Sequence, residues 1–232
     1  MIISNRLSRV RDALASTRAV ALMALFMTVL LAPPDTQAQK LFYVTPEGGG
    51  DGTAWSSPFG TLQEAVTAAA AEPDGATVCV KSGEHFVTNT IYAQNASGIV
   101  IRGGYAGDGE TRSGETVVAR STTNALGATV QCPVFTFSAS TVTLDALVVS
   151  NGFSNSEAYG QGVAFKSACT ATVRDCRFVA NGSGNHNSDN HRYGGAVGAN
   201  GGTLVITNCL FARNSLHSGT EQESGNYQVR PS

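Results

Sequence analysis

The sequence is poor in charge, proline, methionine and aromatic side chains. Asp, Glu, Lys and Arg together make up 14% of its 232 residues, where about 25% is usual. Aromatics account for 7%, with 1 Trp, and there are only 3 Met and 7 Pro. Low charge combined with many small β-formers argues against a helical bundle, a coiled coil and an acidic disordered tail. A formal net charge of -2 leaves no broad electrostatic case for a nucleic-acid partner. Long apolar runs are also missing. The longest, Ala19 to Ala32 (AVALMALFMTVLLA), has 14 residues, short of the roughly 20 that a membrane span needs.

That run instead has the length of a signal-peptide core. Arg6, Arg9, Arg11 and Arg18 precede it, Pro33-Pro34 breaks it, and Thr36-Gln37-Ala38 offers small residues at the two positions a signal peptidase reads. Residues 1–38 are therefore expected to be a signal peptide cleaved after Ala38. They hold four Arg and two Asp, so the remainder carries eleven basic and fifteen acidic residues, a net charge of −4. The expectation is a mildly acidic exported protein with no membrane span in its mature chain, secreted or associated with the cell surface or outer membrane.

What is abundant is Gly, at 26 positions, with Thr, Ser, Asn and Val. Leu41 to Val44 reads as a short strand. Thr61-Leu62-Gln63-Glu64 fits a capping box, and Leu62, Ala65, Val66 and Ala69 follow at helical spacing until Pro73-Asp74-Gly75 stops the run. Residues 39–75 are thus expected to form an N-terminal strand and capping helix. Beyond Gly75 the chain reads as short strands separated by Gly, Asn, Asp and Ser, and those strands repeat. Asp145 to Gly152 (DALVVSNG) aligns with Asp175 to Gly182 (DCRFVANG) at a shift of 30, and the latter with Asn208 to Asn214 at 33. Tyr159 to Val163 matches Tyr193 to Val197 at 34, and Val78 to Gly83 matches Ile99 to Gly104 at 21. A period that varies while the strand cores persist is the behaviour of a coiled parallel sheet with insertions confined to loops. An antiparallel sandwich would show hairpin turns every 8–12 residues without such register. The expected fold is all-β, a parallel β-helix with one short N-terminal capping helix. Its rungs would occupy residues 76–214, with a polar C-terminal tail at 215–232.

Leu41 to Ala70 resembles the N-terminal cap of secreted right-handed parallel β-helix proteins of the pectate-lyase-like superfamily. Tyr193-Gly194-Gly195-Ala196-Val197, followed by Phe211-Ala212-Arg213-Asn214, is similar to the repeat of polymorphic outer membrane proteins, with its Gly-Gly-Ala-Ile and Phe-x-x-Asn halves. The right hand of the coil comes from this resemblance alone. The superfamily includes pectate lyases, alginate lyases, polygalacturonases and non-enzymatic surface proteins, so the resemblance is specific for fold and weak for activity.

Several residues could carry chemistry. At the shift of 30, Asp145 and Asp175 stack in successive rungs, about 4.8 Å apart, as a carboxylate pair able to share a proton or bind a cation. The competing reading is a turn ladder, which Asn208 in the next rung favours. Lys81 aligns with Arg102 at the shift of 21, an anion-binding patch or two solvated strand-end cations. The loop 181–193 gathers His186, Asp189, His191 and Arg192, which could ligate a metal or clamp a uronate, although a five-residue His separation is no regular ligand spacing. Among five cysteines, Cys176 and Cys209 stack at one repeat position, either bridged or packed as free thiols. None has metal-type CxxC spacing.

Three readings stay open on these residues. The leading one is an exported β-helix without a catalytic site of its own, presenting a binding face to a polysaccharide or a cell-surface protein, with no cofactor. The second is a polysaccharide lyase or glycoside hydrolase using Asp145, Asp175 or Lys81, with calcium as a cofactor if it is a lyase. The third is a truncated, inactive fragment. Nothing in the sequence speaks to oligomeric state.

Overall fold

The computed structural model describes residues 39–154, 159–183 and 194–215. The expected signal peptide, the loop residues His186, Asp189, His191 and Arg192, and the tail from residue 216 lie outside the described residues.

Seventeen strands and one helix make up this part of the chain. The largest sheet has six strands in the order β1 (Lys40–Val44), β2 (Ala76–Lys81), β5 (Ile99–Tyr105), β8 (Thr141–Asp145), β12 (Cys169–Arg174) and β16 (Gly202–Thr207). A five-stranded sheet orders β3 (Gly83–Val87), β6 (Thr116–Arg120), β9 (Leu147–Ser150), β13 (Arg177–Val179) and β17 (Leu210–Ala212). A four-stranded sheet orders β4 (Ile91–Gln94), β7 (Phe135–Ser138), β11 (Val163–Lys166) and β15 (Val197–Ala199). A short pair joins β10 (Phe153–Ser154) to β14 (Gly182–Ser183). Neighbouring strands are parallel in all of them. From β2 onward the chain visits the six-, five- and four-stranded sheets in that order, then begins again.

Alternation within each strand decides what faces inward. In β12, Cys169, Ala171 and Val173 are buried while Thr170, Thr172 and Arg174 are more accessible, the period of two that a half-buried strand imposes. Inward rows from all three sheets share one core. Ile101, Leu144 and Val173 come from the first sheet, Val118, Val149 and Phe178 from the second, and Ile91, Phe137 and Phe165 from the third. Aromatic rings stack down this core, Phe137 on Phe165 at 5.9 Å and Phe178 on Phe211 at 5.1 Å.

Single left-handed residues turn the chain from one sheet to the next. Ala146, Asp175 and Asn208 have φ of 54°, 55° and 49° at the bend from the six- to the five-stranded sheet. Asn151, Ala180 and Arg213, with φ of 59°, 56° and 55°, take the next bend. Just inside that second bend, Asn181 is fully buried. Its side-chain amide donates to the Val149 carbonyl and to Asn214 Oδ1, while its own Oδ1 accepts the Gly152 N–H. The Phe-x-x-Asn repeat is thus an inward ring followed by an inward amide that satisfies backbone groups of the neighbouring pass.

Helix α1 (Leu62–Ala70) has the expected capping box, with the Thr61 hydroxyl accepting from the Glu64 N–H and Glu64 accepting from the Thr61 N–H. Its buried face, Leu62, Ala65, Val66 and Ala69, packs against β1, β2 and β4. The Gln63 amide bonds both backbone groups of Tyr92, closing the outer edge of β4. At the opposite end Val205, Ile206, Leu210 and Phe211 are exposed. Among the described residues, no helix is long and apolar enough to cross a membrane.

Candidate functional site: an arginine cluster on Asp145

The register corrects the two alignments on which the sequence-based site rests. β12 pairs with β8 so that Arg174, not Asp175, lies opposite Asp145. The true shift is 29, and Asp175 falls opposite Ala146 at the bend. The identical Asp and Asn-Gly pairs favour a shift of 30 on sequence alone, but one residue of slip would turn every inward side chain of β13 outward. Asp145 and Asp175 therefore do not form a stacked carboxylate pair. Asp175 accepts a bond from Asn208 Nδ2, the turn-ladder arrangement. Lys81 is likewise displaced. A bulge between Cys79 and Lys81 sets Lys81 opposite Tyr105, while Cys79 takes the place opposite Arg102. Lys81 lies 3.9 Å from Glu47, so Lys81 and Arg102 are not neighbours. Cys176 and Cys209 do hold the same position, the register of β13 and β17 placing them side by side as free thiols. Burial pushes the Cys176 thiol up to about 12.

In register across the outer face of the six-stranded sheet stand Tyr43, Cys79, Arg102, Asp145, Arg174 and Thr207. Asp145 is the centre of this row. Its side chain is 5% exposed and accepts from Arg102 Nε at 2.9 Å and Arg174 Nη2 at 2.9 Å, both on Oδ2. Arg112 Nη2 reaches Oδ1 at 3.3 Å. Arg112 belongs to the loop 106–115, which folds back on β5 so that its Nε donates to the Gly103 carbonyl at 2.8 Å. Burial opposes the charge on Asp145. The bond from Arg174, the charges of Arg112 and Arg174 and the bond from Arg102 outweigh it and hold the carboxyl below its ordinary value.

An aromatic ledge adjoins the arginines. The loop 46–60 carries Trp55 across to this face, where its indole N–H donates to the Gly109 carbonyl at 2.8 Å. Its ring centroid is 4.7 Å from that of Tyr43 and 5.7 Å from that of Tyr105. Arg112 lies over the Tyr105 ring at 5.8 Å, within cation–π range. Burial and the Cys79 thiol push Tyr105 up to about 12, and burial pushes Cys79 itself up. Asp145 is thus held charged while Cys79 and Tyr105 are held neutral, which suits fixed charge and hydrogen bonding better than proton transfer.

The arginine side chains remain 32%, 34% and 43% exposed for Arg102, Arg112 and Arg174. One carboxylate faces three guanidinium groups, and the charge of Glu110 also acts on Tyr43 and Cys79. The three guanidinium groups outnumber the one carboxylate, and they carry N–H groups beyond those given to Asp145, Gly103 and Tyr105. Sequence reasoning reached Asp145 and Arg102 but not Arg112, Arg174, Trp55 or Tyr105. Aligning the strands TVTLD (141–145) and TATVR (170–174), rather than the bends after them, would have put Arg174 on Asp145. Among the described residues, no group of three or more His, Cys, Asp and Glu could hold a metal ion. Comparison with known protein families, curated proteins and solved structures finds no match.

Proposed function

We propose that this chain is an exported right-handed parallel β-helix of the pectate-lyase-like kind that works by binding. It would sit at the cell surface or be secreted, and present the outer face of its six-stranded sheet to a glycan or a cell-surface protein. The fold reading is supported by the recurring order of the three parallel sheets and by the shared core. Export is supported by the basic lead-in, the short apolar run and the Thr-Gln-Ala sequence at 36–38.

One observation carries the binding reading. Three partly exposed arginines share a single buried carboxylate beside a tyrosine–tryptophan ledge on the outer face of the six-stranded sheet. Aromatic rings and guanidinium groups are the side chains over-represented where surfaces bind. Asp145, the acid a hydrolase reading would call on, is held charged by three arginines, which supports binding over acid catalysis at this place. The test is retention of the exported full chain on immobilised acidic and neutral polysaccharides and on matrix proteins, with product analysis of the same mixtures. Saturable retention without new reducing ends or unsaturated products is expected. Turnover, or a folded protein retained by nothing, would overturn the reading.

A further inference from the structure

Arg102 and Arg174 stand on strands either side of β8, about 10 Å apart as two strand spacings require, yet both guanidinium groups close onto Asp145 Oδ2. Arg112 enters from the loop 106–115 and takes Oδ1. Asp145 therefore fills the planar two-oxygen position between the arginines and orients three charged forks on one patch of surface. A fork donates bidentately, so an incoming anion meets N–H groups from three side chains. A carboxylate offers two oxygens to these groups, whereas a sulfate or phosphate ester offers three. The ledge of Tyr43 and Trp55 beside Arg112 is the surface on which a sugar ring would lie.

We propose that Arg102, Arg112 and Arg174, held together by Asp145 beside Trp55, form a site for a tetrahedral oxyanion ester, sulfate or phosphate, carried on a polysaccharide. This rests on the binding reading above and assigns it a place and a ligand chemistry. Glu110 borders the patch and disfavours a ligand with more than one anionic group at that edge.

The test is titration of the full chain with dextran sulfate, a phosphomannan, polygalacturonate and plain dextran, for the wild type and for Arg112→Gln, Arg174→Gln and Arg177→Gln. Arg177 is an exposed guanidinium on the five-stranded sheet, paired with Glu115, and serves as the control. Thermal melts report folding, and Arg112→Lys keeps the charge while removing the fork. The expected result is that dextran sulfate or phosphomannan binds at least about tenfold tighter than dextran and polygalacturonate. Binding should fall about tenfold or more in Arg112→Gln and Arg174→Gln, fall in Arg112→Lys, and hold in Arg177→Gln. Whichever of the two esters binds tighter identifies the source. Binding that survives all the arginine changes, or that favours polygalacturonate, overturns the site while leaving the binding reading standing. A folded wild type that binds none of the four polymers also overturns the site, and the binding reading falls with it only if matrix proteins are not retained either.

Discussion

Asp145 shows how far a single residue's role depends on its register. Its charge is legible in the sequence and its partners are not, because they come from β5, β12 and a loop 29 to 43 positions away. Removing the carboxylate leaves three guanidinium groups facing one another. Asp145→Asn is expected to destabilise the fold by roughly 2–3 kcal/mol, below the 3–5 of a fully buried broken pair because the arginines are partly solvated. Denaturant unfolding measures this. The pH dependence has a definite sign. The folded-state carboxyl is held below its unfolded value, so its stabilisation is complete above about pH 4 and is lost as the pH falls through the lower folded value. Wild-type stability should decline over that acid window, and the decline should be smaller in Asp145→Asn.

At the scale of elements, the repeat was readable wherever a side chain has only one possible place. The capping box of α1 and the paired positions of Cys176 and Cys209 follow from local pattern and hold in the structure. Thr61→Ala should cost about 1 kcal/mol through loss of the cap. Phe178→Ala, at a ring fully buried and stacked on Phe211, should cost about 3–5 kcal/mol. The bends were harder to read, because identity there is loosely constrained while conformation is strict. Ala146, Asp175 and Asn208 share one left-handed turn, and the identity of Asp175 with Asp145 masks its true counterpart, Ala146. Alanine is costly in that conformation and asparagine is not. Ala146→Asn should therefore stabilise the protein by about 0.5 kcal/mol, read as a raised melting temperature.

For the whole molecule, the alternation of strands and the recurrence of their cores were enough to expect an all-β chain of parallel strands behind one capping helix. The face proposed for binding was not visible at that level. It is assembled from residues that no single repeat contains: a tryptophan from the loop 46–60, an arginine from the loop 106–115, and a row that crosses six strands. Inward rows are selected by burial and announce themselves as periodic hydrophobics, whereas an outward row of Tyr43, Cys79, Arg102, Asp145, Arg174 and Thr207 has no such signature. The arginine cluster depends on Asp145 lying opposite Arg174. A double-mutant cycle with Asp145→Asn, Arg174→Gln and the double variant tests that pairing directly by chemical denaturation. A coupling of about 1 kcal/mol or more is expected between the two positions, and none between Asp145 and Asp175 in the parallel cycle with Asp175→Asn. Additive effects at Asp145 and Arg174, or coupling of Asp145 to Asp175 instead, would contradict that pairing.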